Sequence, residues 1–283
     1  MNTDINQKLW IKKVHDNLIL RGRSENTFIN YKCALNNFFN YYDENTNIEE
    51  LNEEDIIPYV RECFIKPNKS KYSYNLAIAS IRLFYLVCFR KSLSNIFLPT
   101  SKTPKKMPCI LPKDIFIRIF NDEKYLKHKC WLILAFCSGL RVSEIAKLKI
   151  EDLNSKEHKI LIKEGKGKKD RYTILPDIVI KVLASYCKKK NIKSGYLFKE
   201  SNNKEHMNEK TIINYFTLIK DEYNLNDNIS FHSLRHAFAT YYLANGGSLL
   251  ALQSMLGHTS LNTTTIYLHL AQNFNELEGI KYV

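Results

Sequence analysis

Several features are missing from this 283-residue chain, and each absence removes a class of function. The seven cysteines, Cys33, Cys63, Cys88, Cys109, Cys130, Cys137 and Cys187, form no C-x-x-C pair. An odd, scattered set supports neither a disulfide framework nor a structural zinc site. Cys130 and Cys137 flank the apolar run Trp131 to Phe136 and are expected to be small core residues. No Walker spacing is present; Gly165-Lys166-Gly167-Lys168-Lys169-Asp170 is a lysine-rich turn without the second half of that motif. The longest apolar stretch, Leu76 to Phe89, is interrupted by Arg82 and is too short to span a bilayer. Met1-Asn2-Thr3-Asp4 is polar and carries no signal-peptide pattern. A cytoplasmic, reducing location with no membrane partner is therefore expected.

Acidic residues are in deficit as well. With 42 Lys and Arg against 29 Asp and Glu, the net charge is +13, which favours a polyanionic partner, nucleic acid first. The excess is shared: residues 1–106 carry 16 basic and 11 acidic side chains, or +5, and the remainder carries 26 and 18, or +8.

What is present is mostly helical periodicity. Ser24 opens a helix with Phe28, Tyr31, Leu35, Phe38 and Phe39 inward. Asn52-Glu53-Glu54-Asp55 reads as the capped start of a short helix. Ser73 to Arg90 reads as another, with Leu76, Ile78, Ile81, Leu83, Phe84 and Leu86 on its core face. The segment 99–110 is the one shift in composition, with three prolines and three lysines in its first ten residues, and reads as an extended, solvated connector. Its Lys105 and Lys106 suit a phosphate backbone. Beyond it, Trp131 to Ser138 is a helix stopped by Gly139, and Val142 to Ala146 begins the next. Lys159 to Lys163 and Arg171 to Leu175 read as two strands anchored by Ile160, Ile162, Tyr172 and Ile174, with the lysine turn between them. After a linking region, Asn208 to Lys220 is amphipathic, with Ile212, Ile213, Phe216 and Ile219 inward and Lys210, Thr211 and Asn214 outward, as groove-reading side chains would be. The fold class is mainly α with a small antiparallel β-sheet, divided into a helical domain 1–98, the linker 99–110 and a second domain 111–283.

The chemistry is concentrated late in the chain. Ser230 reads as the N-cap of a helix carrying His232 and Arg235, three apart and so on one face, where both can reach one anion. Leu234, Ala237, Phe238 and Tyr241 supply a packing face that leaves the basic pair free. Gly257 ends a following helix and places His258 at its terminus. Each of Arg141, Lys166, His232, Arg235, His258 and Tyr267 has an ordinary structural explanation alone: a cap, a solvated turn, a satisfied core histidine, a packed tyrosine. Order and spacing single them out together.

Gly139-Leu140-Arg141-Val142-Ser143-Glu144, Gly165-Lys166-Gly167, His232-x-x-Arg235-His236, Leu256-Gly257-His258 and Tyr267 resemble the tyrosine recombinase (phage integrase) family in its compact, Xer-like form. The resemblance implies a two-domain DNA clamp, with an N-terminal core-binding domain of the SAM-like type and a catalytic domain. It implies attack by Tyr267 on a phosphodiester to give a 3′-phosphotyrosyl bond, with His232 managing the phenolic proton and Arg141 and Arg235 clamping nonbridging oxygens. Lys166 would protonate the departing 5′-oxygen, and His258 would hydrogen-bond the same phosphate. Glu144 would position Arg141, and His236 would be structural. No carboxylate cluster accompanies these residues, so neither a metal nor another cofactor is expected.

Further expectations follow from that family. Ser24, Thr27, Tyr31, Lys71, Tyr72 and Arg82 are candidates for reading DNA from the first domain. The tail 268–283, with Leu270, Phe274, Leu277 and Ile280 on one side, is expected to pass to a neighbouring protomer in a tetramer assembled on paired inverted sites, with a second recombinase as an alternative partner. The competing readings are a DNA-binding regulator on a catalytic scaffold and relaxation of DNA by a type IB topoisomerase.

Overall fold

A computed structural model describes residues 2–43, 45–102, 107–163, 170–200, 206–258 and 260–272. The chain divides into two compact units, 1–105 and 106–283. Lys105, Lys106, Lys166 and residues 273–283 lie outside the described residues.

The first unit is helical. It contains α1 (Asn2–Leu20), α2 (Glu25–Phe39), α3 (Glu53–Val60) and α4 (Lys71–Phe89). Each start after the first has a side chain to satisfy the free N–H groups of an opening turn. Ser24 Oγ accepts from Thr27 N–H at 3.3 Å, Asn52 and Asp55 form a reciprocal capping box, and Ser70 Oγ accepts from Ser73 N–H at 3.1 Å. Leu35, Phe38, Phe39, Ile56, Tyr59, Ile78, Ile81, Phe84 and Tyr85 close the core. By length and composition alone α4 could cross a membrane, yet Ala77, Ile78, Ile81, Phe84 and Tyr85 are buried inside this unit. Leu86, expected inward, is exposed, and Tyr85 takes the core position, its hydroxyl donating to Ile48 O at 2.7 Å.

The first part of the connector is not a solvated tether. Arg82 and Tyr74 donate to the carbonyls of Leu98 and Pro99, Asn75 exchanges hydrogen bonds with Ser101 at 2.8 and 2.9 Å, and Lys71 reaches Lys102 O at 3.3 Å. Residues 98–102 are thus docked along α4. The cause is backbone satisfaction: a chain without secondary structure takes its hydrogen bonds from the side chains of the helix beside it.

The second unit is built around α6 (Leu126–Ser138), which is buried from Cys130 onward. Around it lie α5 (Lys113–Asp122), α7 (Val142–Ala146), α8 (Asp177–Lys190), α9 (Glu209–Glu222), α10 (Phe231–Ala244), α11 (Leu249–Leu256) and α12 (Thr265–Gln272). The presumed linking region therefore contains a full helix, α8, held by Val179, Leu183 and Tyr186. Three antiparallel strands, β1 (Leu153–Asn154), β2 (Lys159–Ile162) and β3 (Arg171–Ile174), form a sheet in the order β1-β2-β3. Ile160 pairs with Thr173 and Ile162 with Arg171. Those four residues are buried, whereas Tyr172, expected as an anchor, faces out at 57% exposure. Because side chains alternate along a strand, β3 turns Arg171 and Thr173 to its buried face and Tyr172 to the other, where Ile174 is half-buried against the cluster of Phe238, Leu252 and Leu256. On α9, Ile212, Phe216 and Ile219 point inward, but Ile213 is exposed.

Candidate active site

Five elements deliver the site: α7, β3, α10, the end of α11 and α12. Gly139, at φ +69°, ends α6 in the left-handed conformation and turns the chain so that Arg141 becomes the residue before α7. A Cβ at Gly139 would sit 2.3 Å from Phe238 Cδ1, so glycine is also required by the close approach of α10. Gly257, at φ +63°, ends α11 in the same way and packs on the Arg171 side chain. On α10, Ser230 N–H donates to Ser233 Oγ at 3.1 Å, fixing the first turn that carries His232.

Three guanidinium groups converge on one carboxylate. Arg141 Nη1 donates to Glu144 Oε1 at 2.7 Å, and Arg171 Nη2 donates to Glu144 Oε2 at 2.8 Å. Arg235 Nη1 lies 3.7 Å from Glu144 Oε2. The same arginines bind carbonyls at helix C-termini, which carry unpaired acceptors and the negative end of the helix dipole. Arg235 donates to Gly139 O and to Leu256 O, each at 2.6 Å, Arg141 to Leu256 O at 3.1 Å, and Arg171 Nε to Met255 O at 2.7 Å. Arg235 is only 1% exposed, so it is a buried tie and not the free basic face expected of it. Arg141 stays partly open to solvent.

Electrostatics follow from this packing. Burial works against the charge on Glu144, but the Arg171 hydrogen bond and the charges of Arg171 and Arg235 overcome it and hold the carboxyl down to about 2. Burial and then the charge of Arg141 lower Arg235 to about 9, which leaves it cationic at neutral pH. Three positive groups against one negative leave a local surplus of two positive charges. An anion is the natural complement.

The histidines and the tyrosine close the other side. Burial, then Arg235 and Arg141, push His258 down to about 4; its Nδ1 pairs with Thr264 Oγ1 at 2.9 Å. His232 presents an exposed edge, and it too lies below the ordinary histidine range, through the protein packed around its ring and the charges of Arg235 and Arg141. Tyr267, on α12, is only 3% exposed. Burial raises its hydroxyl above the usual phenol range, while Arg235 and Arg141 pull in the opposite direction. Its hydroxyl lies 2.7 Å from His236 Nδ1.

The structure therefore brings together Arg141, His232, Arg235, His258 and Tyr267, and adds Glu144, Arg171 and His236. The sequence pattern puts Tyr172 and Ile174 forward as the anchors of β3 and so hides Arg171; a basic residue alternating with a threonine opposite two isoleucines is the signal that places it inside. Of the residues put forward for DNA reading, Tyr72, Lys210, Thr211 and Asn214 are exposed. Ser24 is a helix cap, Tyr31 packs partly against the core, Thr27 is half-buried, and Lys71 and Arg82 hold the connector.

The profile of the Phage integrase family matches residues 113–273, and that of the phage integrase N-terminal SAM-like domain matches residues 15–91. The chain belongs to the phage integrase family. It is 33% identical over 262 residues to tyrosine recombinase XerA of Pyrococcus horikoshii, covering 88% of this chain and 85% of that one. With tyrosine recombinase XerD of Oceanobacillus iheyensis it shares 30% identity over 275 residues, 90% of this chain and 91% of the relative. Within the family it is thus a tyrosine recombinase of the Xer-like type, a class that cuts and rejoins DNA in site-specific recombination.

Solved structures give the same fold. XerH site-specific recombinase bound to palindromic difH substrate superposes with a TM-score of 0.74 at 20% identity, over 89% of this chain and 79% of that one. A lambda integrase (75-356) dimer bound to a COC′ core site does so at 0.72 and 18% identity, over 97% and 98%.

Proposed function

We propose that this protein cuts and rejoins double-stranded DNA at specific paired, inverted sites through a covalent 3′-phosphotyrosyl link to Tyr267. The observation that carries the proposal is the surplus of cationic charge around Glu144, beside a buried tyrosine on a helix packed against α10. Arg141, and Arg235 through the Nη hydrogens left after its bonds to Gly139 O and Leu256 O, bind the nonbridging oxygens of the scissile phosphate, where fixed guanidinium donors stabilise the charge that develops as the phosphorane forms. Attack by the Tyr267 oxygen forms the P–O(Tyr) bond and breaks the bond to the 5′-oxygen, which leaves as a hydroxyl after taking a proton from Lys166. His258 hydrogen-bonds the phosphate, and His232, whose ring lies edge-on to the histidine that contacts the phenol, helps manage the phenolic proton. A phenol with a pKa near 10 costs about 4 kcal/mol to ionise at pH 7, and burial adds to that cost. Much of the site's cationic field therefore serves to offset it.

Storing the phosphodiester energy in the adduct lets the cycle run without ATP, a cofactor or a metal ion. The first unit and Lys105 and Lys106 hold the duplex with the second unit as a clamp. Tyr72, Lys210, Thr211 and Asn214 are the groove-facing set, because they are exposed and, among the described residues, their side chains make no hydrogen bond or ion pair. The working assembly is a tetramer, of this chain alone or with a second recombinase, acting in the cytoplasm. Of the tail 268–283 expected to pass between protomers, 268–272 belongs to α12, where Leu270 and Ala271 pack against Phe238, Leu252 and Leu256 of their own chain, so the segment to be donated is 273–283.

The test is recombination of a plasmid carrying two copies of a site selected by binding. Exchange of flanking sequence supports the proposal. Relaxation of a plasmid without a second site supports a topoisomerase, and retarded DNA with no cleavage supports a regulator.

A further inference from the structure

We propose that His236 positions the Tyr267 phenol for attack. This inference rests on the recombinase reading above and assigns a role in the reaction to a residue that the family resemblance marks only as structural.

Geometry carries it. His236 Nδ1 lies 2.7 Å from Tyr267 Oη, and among the described residues no other side chain hydrogen-bonds that oxygen. The His258 ring runs nearly parallel to Tyr267, 16° between planes, with centroids 6.4 Å apart. His232 lies edge-on to His236, with centroids 4.5 Å apart, one ring further from the phenol. Placement in the fold matters as much. His236 follows Arg235 on α10, and Arg235 is tied to Gly139 O and Leu256 O. A single hydrogen bond therefore fixes the nucleophile on α12 to the rigid turn that carries the phosphate clamp.

The chemistry suits the role. His236 is neutral at physiological pH, because burial and then the charges of His232 and Arg235 depress its ring to about 3. A neutral imidazole accepts from a phenol, the stronger acid of the two. The phenol then points its hydrogen at Nδ1 and keeps its oxygen lone pairs for phosphorus. A tyrosine otherwise held only by ring packing would swing its hydroxyl by rotation about the Cα–Cβ bond, and displacement of a reacting atom by about 1 Å costs on the order of 100-fold in rate.

The experiment compares His236→Ala and His236→Asn in the full chain. Asparagine places an acceptor oxygen near the position of Nδ1. Single-turnover adduct formation on nicked substrate at saturating protein is measured with DNA affinity. The expected result is a loss of about 100-fold in the alanine variant, unchanged affinity, and recovery to within about tenfold of wild type with asparagine. A wild-type rate in His236→Ala, or equal losses in both variants, would overturn the proposal.

A second measurement does not depend on cleavage. The Cζ resonance of Tyr267 in DNA-free protein carrying 13C-tyrosine, assigned through Tyr267→Phe, should move in His236→Ala and stay in place in His232→Ala. An unmoved resonance in His236→Ala contradicts the contact itself. A moved resonance in a protein whose wild type forms no adduct counts against the recombinase reading while leaving the contact standing.

Discussion

Glu144 has 10% of its side chain exposed and is surrounded by Arg141, Arg171 and Arg235. Its carboxyl titrates near 2 in the folded protein and near 4.3 in an unfolded chain. Since the folded value is depressed, the stabilisation is fully present above about pH 4.5 and is lost as pH falls through about 2. Glu144→Gln should cost about 3–5 kcal/mol at pH 7, because it leaves buried guanidinium groups uncompensated. Chemical denaturation as a function of pH should show the two proteins converging on the acid side. A difference that stayed constant down to pH 2 would mean that the carboxylate charge is not what the variant removes.

Arg171 is the comparable case on the cationic side. Arg171→Lys keeps the charge but cannot reach both Met255 O and Glu144, since an ammonium lacks the planar fork of a guanidinium. It should lower adduct formation by about 10-fold or more, with thermal stability reduced by a few degrees. Cleavage at the wild-type rate would show that Arg171 has no bearing on the geometry of Arg141. The pairing of Glu144 with Arg141 was expected from the family resemblance, but the role of Arg171 was not visible in the sequence. The partners of Arg171 are 84 and 27 positions away, and those of Tyr267 and Arg235 are separated by 31 and 96, so spacing within one element could not reveal them. Family order pointed to five of the described site residues, and their contacts required the fold.

At the scale of elements, α2, α4, α9 and α10 were legible because apolar residues recur with a helical period and a polar side chain caps each start. The helix α8 was not. Ile178-Val179-Ile180 opens it with β-branched residues of weak helix propensity, and burial of Val179, Leu183 and Tyr186 overrides that preference. The two-residue strand β1 has no period to read and exists through its pairing with β2. The stop of α6 at Gly139 was legible, but not its second reason, the approach of Phe238. Gly139→Ala would place its Cβ 2.3 Å from that ring in a left-handed backbone, so it should destabilise the second unit by about 3 kcal/mol or more. A melting temperature within a degree of wild type would contradict the packing of α10 on α6.

At the scale of the whole molecule, both units carry excess positive charge, so binding to DNA should weaken steeply with salt, log K falling by about 0.9 per phosphate neutralised. Lys210→Ala should reduce that slope by about one while leaving adduct formation at saturating protein unchanged. An unaltered slope would remove α9 from the DNA interface. Removal of residues 273–283 should leave binding to a single half-site intact and abolish cooperative assembly and strand exchange; undiminished exchange would show that the segment is not shared between protomers.

The central claim is that Tyr267 becomes covalently joined to DNA. The direct measurement is to mix the purified protein with labelled fragments from around its own gene and from the replication terminus, denature in SDS, and compare with Tyr267→Phe. A denaturant-resistant adduct that disappears in the variant is the predicted result, and its position in the fragment identifies the site. Retarded DNA with no adduct on any intact or nicked fragment would contradict it.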